Sequence, residues 1–209
     1  AKKTVVTGYP VRASFFTTDR QAARLSFGVP AGDHLVVIAG ASQGAARINA
    51  AVFAGLETLL ANAVVYHVTG AAGIEEAETL KSAMAPEIAR RYHPASFRAD
   101  LPELMVAADV GVFRAGASVL GEIPAAALPS VLIPGTFAGG HQRNNARWLT
   151  ENGAAVTLEE ADIANLGTIV GDLLGDAARL GAMRESAKKL ARPDAAGAIA
   201  AVVLEVARK

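Results

Sequence analysis

Residues 35–49 read LVVIAGASQGAARIN and join an apolar run, a glycine-rich turn and the start of a helix. The apolar run is rich in β-branched residues, which favours a strand that is covered on both faces. Glycine lets the turn approach a ligand closely, and the free N–H groups of a helix start attract phosphate or sugar oxygens. The stretch therefore predicts one βα unit of a parallel sheet, with a ligand at the carboxyl end of the strand.

Short apolar runs and longer alanine- and leucine-rich stretches alternate along the rest of the chain. Strands are predicted at residues 35–39, 64–68, 94–97, 109–113, 130–134 and 154–158. Helices are predicted at residues 44–61, 73–90, 102–107, 117–127, 140–152, 162–174, 177–191 and 194–207. This order predicts an α/β fold with a Rossmann-like, doubly wound parallel sheet of about six strands. At 209 residues and without an internal repeat, the chain is expected to form one domain.

The composition disfavours several classes of protein. Twenty basic residues balance twenty acidic ones and are scattered along the chain, so we expect no nucleic-acid partner. The chain has no cysteine, which excludes disulfides and thiolate zinc sites and makes a reducing compartment, the cytoplasm, the default. The apolar runs are too short to span a membrane, and we expect no signal peptide. The four histidines have no metal-ligand spacing, so neither a metal nor a cofactor is predicted.

The turn GASQGAARIN (residues 40–49) is the first candidate ligand loop. It lacks the GK[ST] ending of the loops that grip phosphates in ATPases, and it departs from the GxGxxG pattern of dinucleotide-binding folds. These two enzyme classes therefore lose their main support. A simple strand-to-helix turn capped by Ser42 is the alternative interpretation.

The segment FRAGASVLGE (residues 113–122) is the second candidate. Gly116 and Ala117 stand where a helix begins directly after a strand, and the helix dipole there favours a diphosphate. Glu122 follows within the helix, where a carboxylate can accept both ribose hydroxyls. A surface glutamate beside an ordinary cap is the alternative, and Arg114 is expected to contact phosphate or to form a salt bridge.

The segment PGTFAGGHQRNNA (residues 134–146) is the third candidate. Gln142 and Asn145 share a helix face, and their amides offer the donors and acceptors that sugar hydroxyls require. The alternative is that a helix start simply favours polar residues. His141 has no carboxylate nearby in the sequence and is a weak candidate base. The remaining histidines are expected to be structural or exposed, namely His34, His67 and His93.

In their order along the chain, these segments closely resemble the C-terminal half of the MurG family of bacterial glycosyltransferases. The resemblance rests on TGYPVR (7–12), GASQGAARIN (40–49), HVTG (67–70), AADVGVFRAGASVLGE (107–122), ALPSVLIP (127–134) and GGHQRNNA (139–146). It covers nearly the whole chain and implies a GT-B C-terminal domain of glycosyltransferase family 28. Residues 1–209 would form this single UDP-sugar-binding domain, with residues 1–12 as the linker to an N-terminal acceptor domain that is missing from the sequence.

The resemblance also implies an activity. That family transfers N-acetylglucosamine from UDP-N-acetylglucosamine to undecaprenyl-pyrophosphoryl-N-acetylmuramoyl-pentapeptide, with inversion, in peptidoglycan synthesis. The implied partners are the UDP-sugar and, through the N-terminal half, the lipid-linked acceptor. The complete enzyme would associate peripherally with the cytoplasmic face of the cell membrane. Because the catalytic base is expected in the other half, this chain alone is expected to bind the donor without turnover.

The resemblance assigns roles to individual residues. Donor contacts are implied for Arg12, Ser42, Gln43 and Gly44. The uracil would lie against the backbone of Phe97 and Arg98, and the Arg98 side chain is expected to point away because the family usually has an apolar residue there. The diphosphate and ribose site is implied at Gly116, Ala117, Ser118, Val119, Leu120, Gly121 and Glu122. The hydroxyls of the sugar would be recognised by His141, Gln142 and Asn145.

Several alternatives stay open at this point. A UDP-N-acetylglucosamine epimerase shares the GT-B architecture, but it should carry carboxylates and histidines aimed at the sugar, of which this chain shows few. A related transferase that glycosylates diacylglycerol is a second possibility. The chain could also be a standalone donor-binding subunit or a nucleotide-sugar sensor, and the upstream coding sequence would distinguish these from a truncated enzyme.

Overall fold

The computed structural model describes residues 4–40, 46–135 and 140–208. Its strands are β1 (His34–Ala39), β2 (Ala63–Val68), β3 (Tyr92–Ala95), β4 (Val110–Arg114), β5 (Ser130–Ile133) and β6 (Ala155–Thr157). They form one sheet in the order β3-β2-β1-β4-β5-β6, and every neighbouring pair is parallel. This confirms the predicted doubly wound sheet. Because the chain runs from β1 out to β3 and then crosses to β4, the topological switch point lies between β1 and β4.

Helices cover both faces of the sheet. They are α1 (Ser14–Thr17), α2 (Arg20–Ser26), α3 (Ala46–Ala54), α4 (Leu56–Asn62), α5 (Ile74–Ser82), α6 (Pro86–Ala89), α7 (Leu101–Ala107), α8 (Val119–Ala126), α9 (His141–Glu151), α10 (Leu166–Gly175), α11 (Ala177–Leu190) and α12 (Ala195–Ala207). A 3₁₀ helix spans Glu160–Asn165. Within the described part of the chain, no helix combines the length and apolar character needed to cross a membrane.

Alternate strand residues build two separate apolar cores. Leu35 and Val37 of β1 pack in the core that includes Ile123 of α8. Val36 and Ile38 point to the opposite face and pack in the core that includes Ile48 of α3. Since both faces of the strands are covered, their sequences are apolar runs rather than alternating patterns.

Two predicted helices are each divided in the structure. The predicted helix 44–61 is interrupted at Gly55, which separates α3 from α4 and belongs to the poorest helix-forming type after proline. The predicted helix 73–90 ends with α5, and α6 begins at Pro86. Ala85 before this proline has ψ of 142°, since a residue that precedes proline disfavours the helical conformation.

The N-terminal helices and the position of β3 also differ from the prediction. No helix was predicted over residues 13–26, yet α1 and α2 lie there, and the Asp19 carboxylate caps α2 by accepting from the Ala22 N–H at 2.8 Å. The strand predicted at 94–97 begins two residues earlier, at the fully buried Tyr92. Phe97 lies outside the sheet and is 78% exposed.

Candidate functional site

A cavity of about 410 Å³ opens at the carboxyl ends of β1, β2 and β3. Its lining includes Ala39 at the end of β1, Gly70 and Ala71 after β2, and Ser96 and Phe97 after β3. Small side chains leave the space open, and the size falls in the range of small-molecule sites. The cavity can therefore hold a flat ring against the backbone of the β3 exit.

The side chain of Arg98 is engaged by the protein. Its Nε and Nη2 donate to the two carboxylate oxygens of Asp100 at 2.9 and 2.6 Å. Its guanidinium carbon lies 5.0 Å from the ring centroid of Tyr66, a cation–π distance. The hydrogen bonds from Arg98 lower the pKa of Asp100. These contacts occupy the guanidinium and leave the backbone of this segment next to the cavity.

The turn from β4 into α8 presents open backbone donors. Within residues 4–40, 46–135 and 140–208, no hydrogen-bond acceptor is recorded for the N–H groups of Gly116, Ala117 and Ser118. A Cβ at Gly116 would meet no heavy atom within 4 Å, so this side of the turn is open. Unpaired N–H groups at a helix start, together with the helix dipole, bind anions such as a diphosphate.

Glu122 lies in the first turn of α8 and is half-buried. In the described part of the chain its carboxylate has neither a hydrogen-bond nor an ion-pair partner. The neighbouring site residues Val119, Leu120 and Gly121 belong to the same helical turn, and Val119 is buried in the core. Among the described residues, an open carboxylate thus lies in the first turn of α8, directly after the segment whose N–H groups are open.

Two side-chain amides at the start of α9 form hydrogen bonds with the backbone of neighbouring loops. Gln142 Oε1 accepts from the Gly135 N–H at 2.8 Å, and Asn145 Nδ2 donates to the Ala115 carbonyl at 2.9 Å. Gln142 Nε2 and Asn145 Oδ1 have no recorded partner among the described residues. His141 is exposed at the first position of the helix.

The N-terminal segment reaches the same edge of the sheet. Arg12 is exposed and donates through Nη1 to the Ala99 carbonyl at 2.8 Å, just beyond the β3 exit. The segment crosses α8 at Gly121, where a Cβ would lie 2.7 Å from the Tyr9 carbonyl oxygen. Glycine is therefore required for this close approach. Three other predicted donor contacts, Ser42, Gln43 and Gly44, lie outside the described residues.

Arg114 forms a buried ion pair. Its Nη2 lies 2.5 Å from Glu160 Oε1, and the two side chains are 7% and 8% exposed. Its Nη1 also donates to the Ile133 carbonyl at 3.2 Å. Of the two roles expected from the sequence, the structure shows the salt bridge.

A buried polar network beneath the β2 exit was not predicted from the sequence. His67 was expected to be structural or exposed, and it is buried, with Nδ1 3.0 Å from the Tyr92 hydroxyl and Nε2 3.1 Å from Asn49 Oδ1. Burial lowers the pKa of His67 to about 4. The signal available in the sequence was a polar residue inside the apolar run VVYHV, but the sequence does not identify its partners. His93 stacks on Tyr66 with ring centroids 4.3 Å apart.

Metal-ligating groups are not clustered in the described ranges. There, no three side chains of histidine, cysteine, aspartate or glutamate are grouped closely enough to hold a metal ion. The polar groups at the switch point are instead backbone donors, amides and one carboxylate, a set suited to an anionic, hydroxyl-rich ligand.

Known proteins similar to this chain were found by sequence and by structure. A relative from Roseiflexus sp. (strain RS-1) is 38% identical over 221 residues, which cover 94% of this chain and 49% of the relative. A relative from Salinibacter ruber (strain DSM 13855 / M31) is also 38% identical, over 99% of this chain and 56% of its own length. Both are described as UDP-N-acetylglucosamine--N-acetylmuramyl-(pentapeptide) pyrophosphoryl-undecaprenol N-acetylglucosamine transferase. The chain spans about half the length of these curated relatives.

The crystal structure of Acinetobacter baumannii MurG matches with a TM-score of 0.75 and 22% sequence identity. The match covers 94% of this chain and 57% of that one, which shows a shared fold. The family model for the glycosyltransferase family 28 C-terminal domain matches residues 34–199, from the first residue of β1 into α12. The chain therefore belongs to the family of glycosyltransferase family 28 C-terminal domains.

Proposed function

We propose that this chain is the donor-binding half of an inverting glycosyltransferase. The complete enzyme would transfer N-acetylglucosamine from UDP-N-acetylglucosamine to undecaprenyl-pyrophosphoryl-N-acetylmuramoyl-pentapeptide, the reaction named for the two relatives. The observation that carries the proposal is the turn at the switch point, where the N–H groups of residues 116–118 and the Glu122 carboxylate in the following helix turn have no partner within the described ranges. A diphosphate requires the first and a ribose the second.

Each part of the donor has a matching part of the site in this proposal. The uracil occupies the 410 Å³ cavity against the backbone of Phe97 and Arg98. The ribose hydroxyls donate to Glu122, and the diphosphate accepts from the N–H groups at residues 116–118. The N-acetylglucosamine reaches the open amide groups of Gln142 and Asn145, whose donors and acceptors suit sugar hydroxyls.

The chemical contribution of this half is stabilisation of the leaving group. The 4-hydroxyl of the acceptor N-acetylmuramic acid attacks the anomeric carbon, and the bond from that carbon to the diphosphate oxygen breaks with inversion. UDP leaves with the electron pair, and its charge is stabilised by the N–H groups and the dipole of α8. The acceptor proton passes to a base outside this chain, so this half binds and orients the donor without turnover.

The proposed acceptor defines a place of action. Because the acceptor is anchored in a lipid bilayer while the UDP-sugar is dissolved in the cytoplasm, the complete enzyme would act as a peripheral protein at the cytoplasmic face of the membrane. The proposed function involves no nucleic acid, as the balance of twenty basic and twenty acidic residues suggests.

Titration calorimetry of the folded chain tests the proposal. We expect UDP and UDP-N-acetylglucosamine to bind, and ADP to bind at least about tenfold more weakly because adenine presents a different set of hydrogen-bond donors and acceptors to the backbone of Phe97 and Arg98. A folded sample that binds neither uridine nucleotide would overturn the proposal. Conversion of the bound sugar to its epimer, followed by proton NMR, would instead support the epimerase alternative.

A further inference from the structure

Four polar groups form a buried chain of hydrogen bonds just beneath the carboxyl edge of the sheet. The Tyr92 hydroxyl of β3 lies 3.0 Å from His67 Nδ1 of β2, and His67 Nε2 lies 3.1 Å from Asn49 Oδ1 of α3. Asn49 Nδ2 then donates to the Thr69 carbonyl at 2.8 Å. All four residues are buried, so water does not compete for these hydrogen bonds.

The carbonyl at one end of this network fixes the donor and the acceptor in each of its hydrogen bonds. Because Asn49 Nδ2 donates to a carbonyl, its Oδ1 faces His67 and must accept, which assigns the ring proton to His67 Nε2. His67 Nδ1 then accepts from the Tyr92 hydroxyl. This arrangement requires a neutral imidazole, and burial lowers the pKa of His67 to about 4, so the ring is neutral at pH 7.

At one end the network holds the loop that lines the cavity. Thr69 precedes Gly70 and Ala71 of the cavity wall, and its N–H donates to the Ala95 carbonyl at 2.9 Å, just before the β3 exit. The loop also packs closely against the side-chain amide of Asn49, since a Cβ at Gly73 would collide with Asn49 Nδ2. The position of the cavity wall is therefore tied to the amide of Asn49.

At the other end the network holds the start of α3. Asn49 is the fourth residue of this helix, which continues directly from the glycine-rich segment of residues 40–45. Ile48 and Val52 pack the helix against the sheet, but apolar packing has no directional preference. The hydrogen bonds of Asn49 are directional and determine how far the helix can rotate or slide.

We propose that Asn49, oriented by His67 and Tyr92, is a positioning residue for the donor site that fixes the start of α3 against the wall of the 410 Å³ cavity. The proposal rests on the proposed function, because the consequence of losing this contact is weaker binding of the uridine nucleotide. Asn49 acts through the loop at Thr69 and through α3, so it needs no contact with the donor.

The first test replaces Asn49 with leucine, which has a similar size and no polar atoms. We expect UDP affinity, measured by calorimetry on the folded chain, to fall about tenfold, the equivalent of about 1.4 kcal/mol. The matched control is Ser130→Ala, which removes a buried hydrogen bond to the Leu128 carbonyl at the start of β5, away from the site. This control lowers the melting temperature but keeps UDP affinity within about twofold of wild type.

A pair of variants at His67 separates hydrogen bonding from packing. His67→Gln keeps a hydrogen-bond donor and an acceptor, and we expect its UDP affinity to stay within about threefold of wild type. His67→Leu has a similar volume but neither polar group, and we expect its UDP affinity to fall about tenfold. Equal affinity for both variants, or wild-type affinity in folded Asn49→Leu, would overturn the proposal. If Asn49→Leu does not fold, Tyr92→Phe removes a single hydroxyl and is expected to weaken UDP binding about threefold, and unchanged affinity would again overturn it.

Hydrogen exchange distinguishes a failure of this proposal from a failure of the proposed function. If the wild-type chain does not bind UDP, the donor assignment fails but the positioning contact can still be measured. In Asn49→Leu the amides of Thr69 and Gly73 should exchange about tenfold faster, while those of β5 stay unchanged. Unchanged exchange at these two amides would overturn the positioning role.

Discussion

Two carboxylates at opposite ends of the sheet, Asp109 and Glu122, differ in how far the protein pairs them. At the amino end, Asp109 accepts from Arg20 at 2.5 Å, from Arg24 at 2.9 Å and from the Leu35 N–H at 2.8 Å. The two arginines also donate to backbone carbonyls at the end of α7 and, from Arg24, to the Asp33 carbonyl. At the carboxyl end, Glu122 has no partner among the described residues, and the backbone donors before it are open.

This difference agrees with a structural role for Asp109 and with the binding role proposed for Glu122. A charge that is fully paired stabilises the fold and has nothing left to offer a ligand, whereas an open charge beside a cavity gains its partner when a ligand binds. Arg184 illustrates the first case, since it donates to the carbonyls of Ala127 and Ala108, and burial is the main cause that lowers its pKa to about 10. It remains charged at neutral pH and completes the amino-end cluster.

The largest effect on stability is expected when the Asp109 carboxylate at the amino end is removed. Asp109→Ala leaves Arg20 and Arg24 without their carboxylate and the Leu35 N–H without its acceptor, so we expect the free energy of unfolding in urea to fall by about 3 kcal/mol or more. UDP affinity of the folded fraction should stay within about twofold of wild type. The control is Asp176→Ala, which removes the exposed cap of α11 and should cost only about 1 kcal/mol. A large loss of UDP affinity in folded Asp109→Ala would contradict the separation of the two ends.

The second effect tests whether His67, in the buried polar network at the carboxyl end, is held there as a neutral ring. Burial lowers the pKa of His67 from 6.5 to about 4, so the folded state binds fewer protons than the unfolded state between these values. The contribution of His67 to the free energy of unfolding is therefore fully present above pH 6.5 and is lost as the pH falls towards 4. The loss from this group is at most about 3 kcal/mol. The measurement is urea unfolding at pH 7.5, 5.5 and 4.5, with His67→Gln as the comparison. Parallel pH profiles for the two proteins would contradict the prediction.

The third effect removes the open carboxylate. Glu122→Ala is expected to weaken UDP binding roughly 10- to 100-fold, because hydrogen bonds to a charged group contribute about 1.5–3 kcal/mol. Its stability should change by no more than about 0.5 kcal/mol, since no described protein group depends on it. Glu57→Ala is the matched control, because Glu57 is an exposed glutamate in the first turn of α4. Equal UDP affinity in the two variants would remove Glu122 from the site.

The smallest effect concerns the N-terminal segment beside the open end. Gly121→Ala places a Cβ against the Tyr9 carbonyl and displaces the segment, while the helical preference of alanine offsets up to about 1 kcal/mol of the cost. We expect a net loss of stability of about 1 kcal/mol, because a backbone carbonyl has to move. We also expect a shift in the emission of Trp148, the single tryptophan, which lines a 550 Å³ cavity together with Tyr9 and Gly121.

Gly181→Ala is the control for this change. Gly181 lies inside α11, and an added Cβ would meet no heavy atom within 4 Å, so this variant should gain about 0.5–1 kcal/mol with unchanged emission. Identical emission in both variants would show that the segment tolerates a side chain at Gly121.

The segments of the candidate site could be located from the sequence because each one is local in the chain. The segment that leads into α8 follows β4, and α9 is the next helix after β5, and parallel strands bring their carboxyl ends to one edge. The helix breaks at Gly55 and Pro86 were missed, although both residue types interrupt helices. The roles of Ser42, Gln43 and Gly44, like the other donor contacts, remain predictions.

By itself, the sequence determined the parallel α/β sheet and the loops that can carry a ligand, because strand burial, helix periodicity and glycine turns are properties of neighbouring residues. Only the tertiary structure decided which polar groups meet. Asn49 and His67 are 18 residues apart, and Arg20 and Asp109 are 89 apart, so no local pattern identifies either contact. A hydrogen bond requires a particular distance and direction between two atoms, and these exist only after the packing of the cores has brought distant segments together.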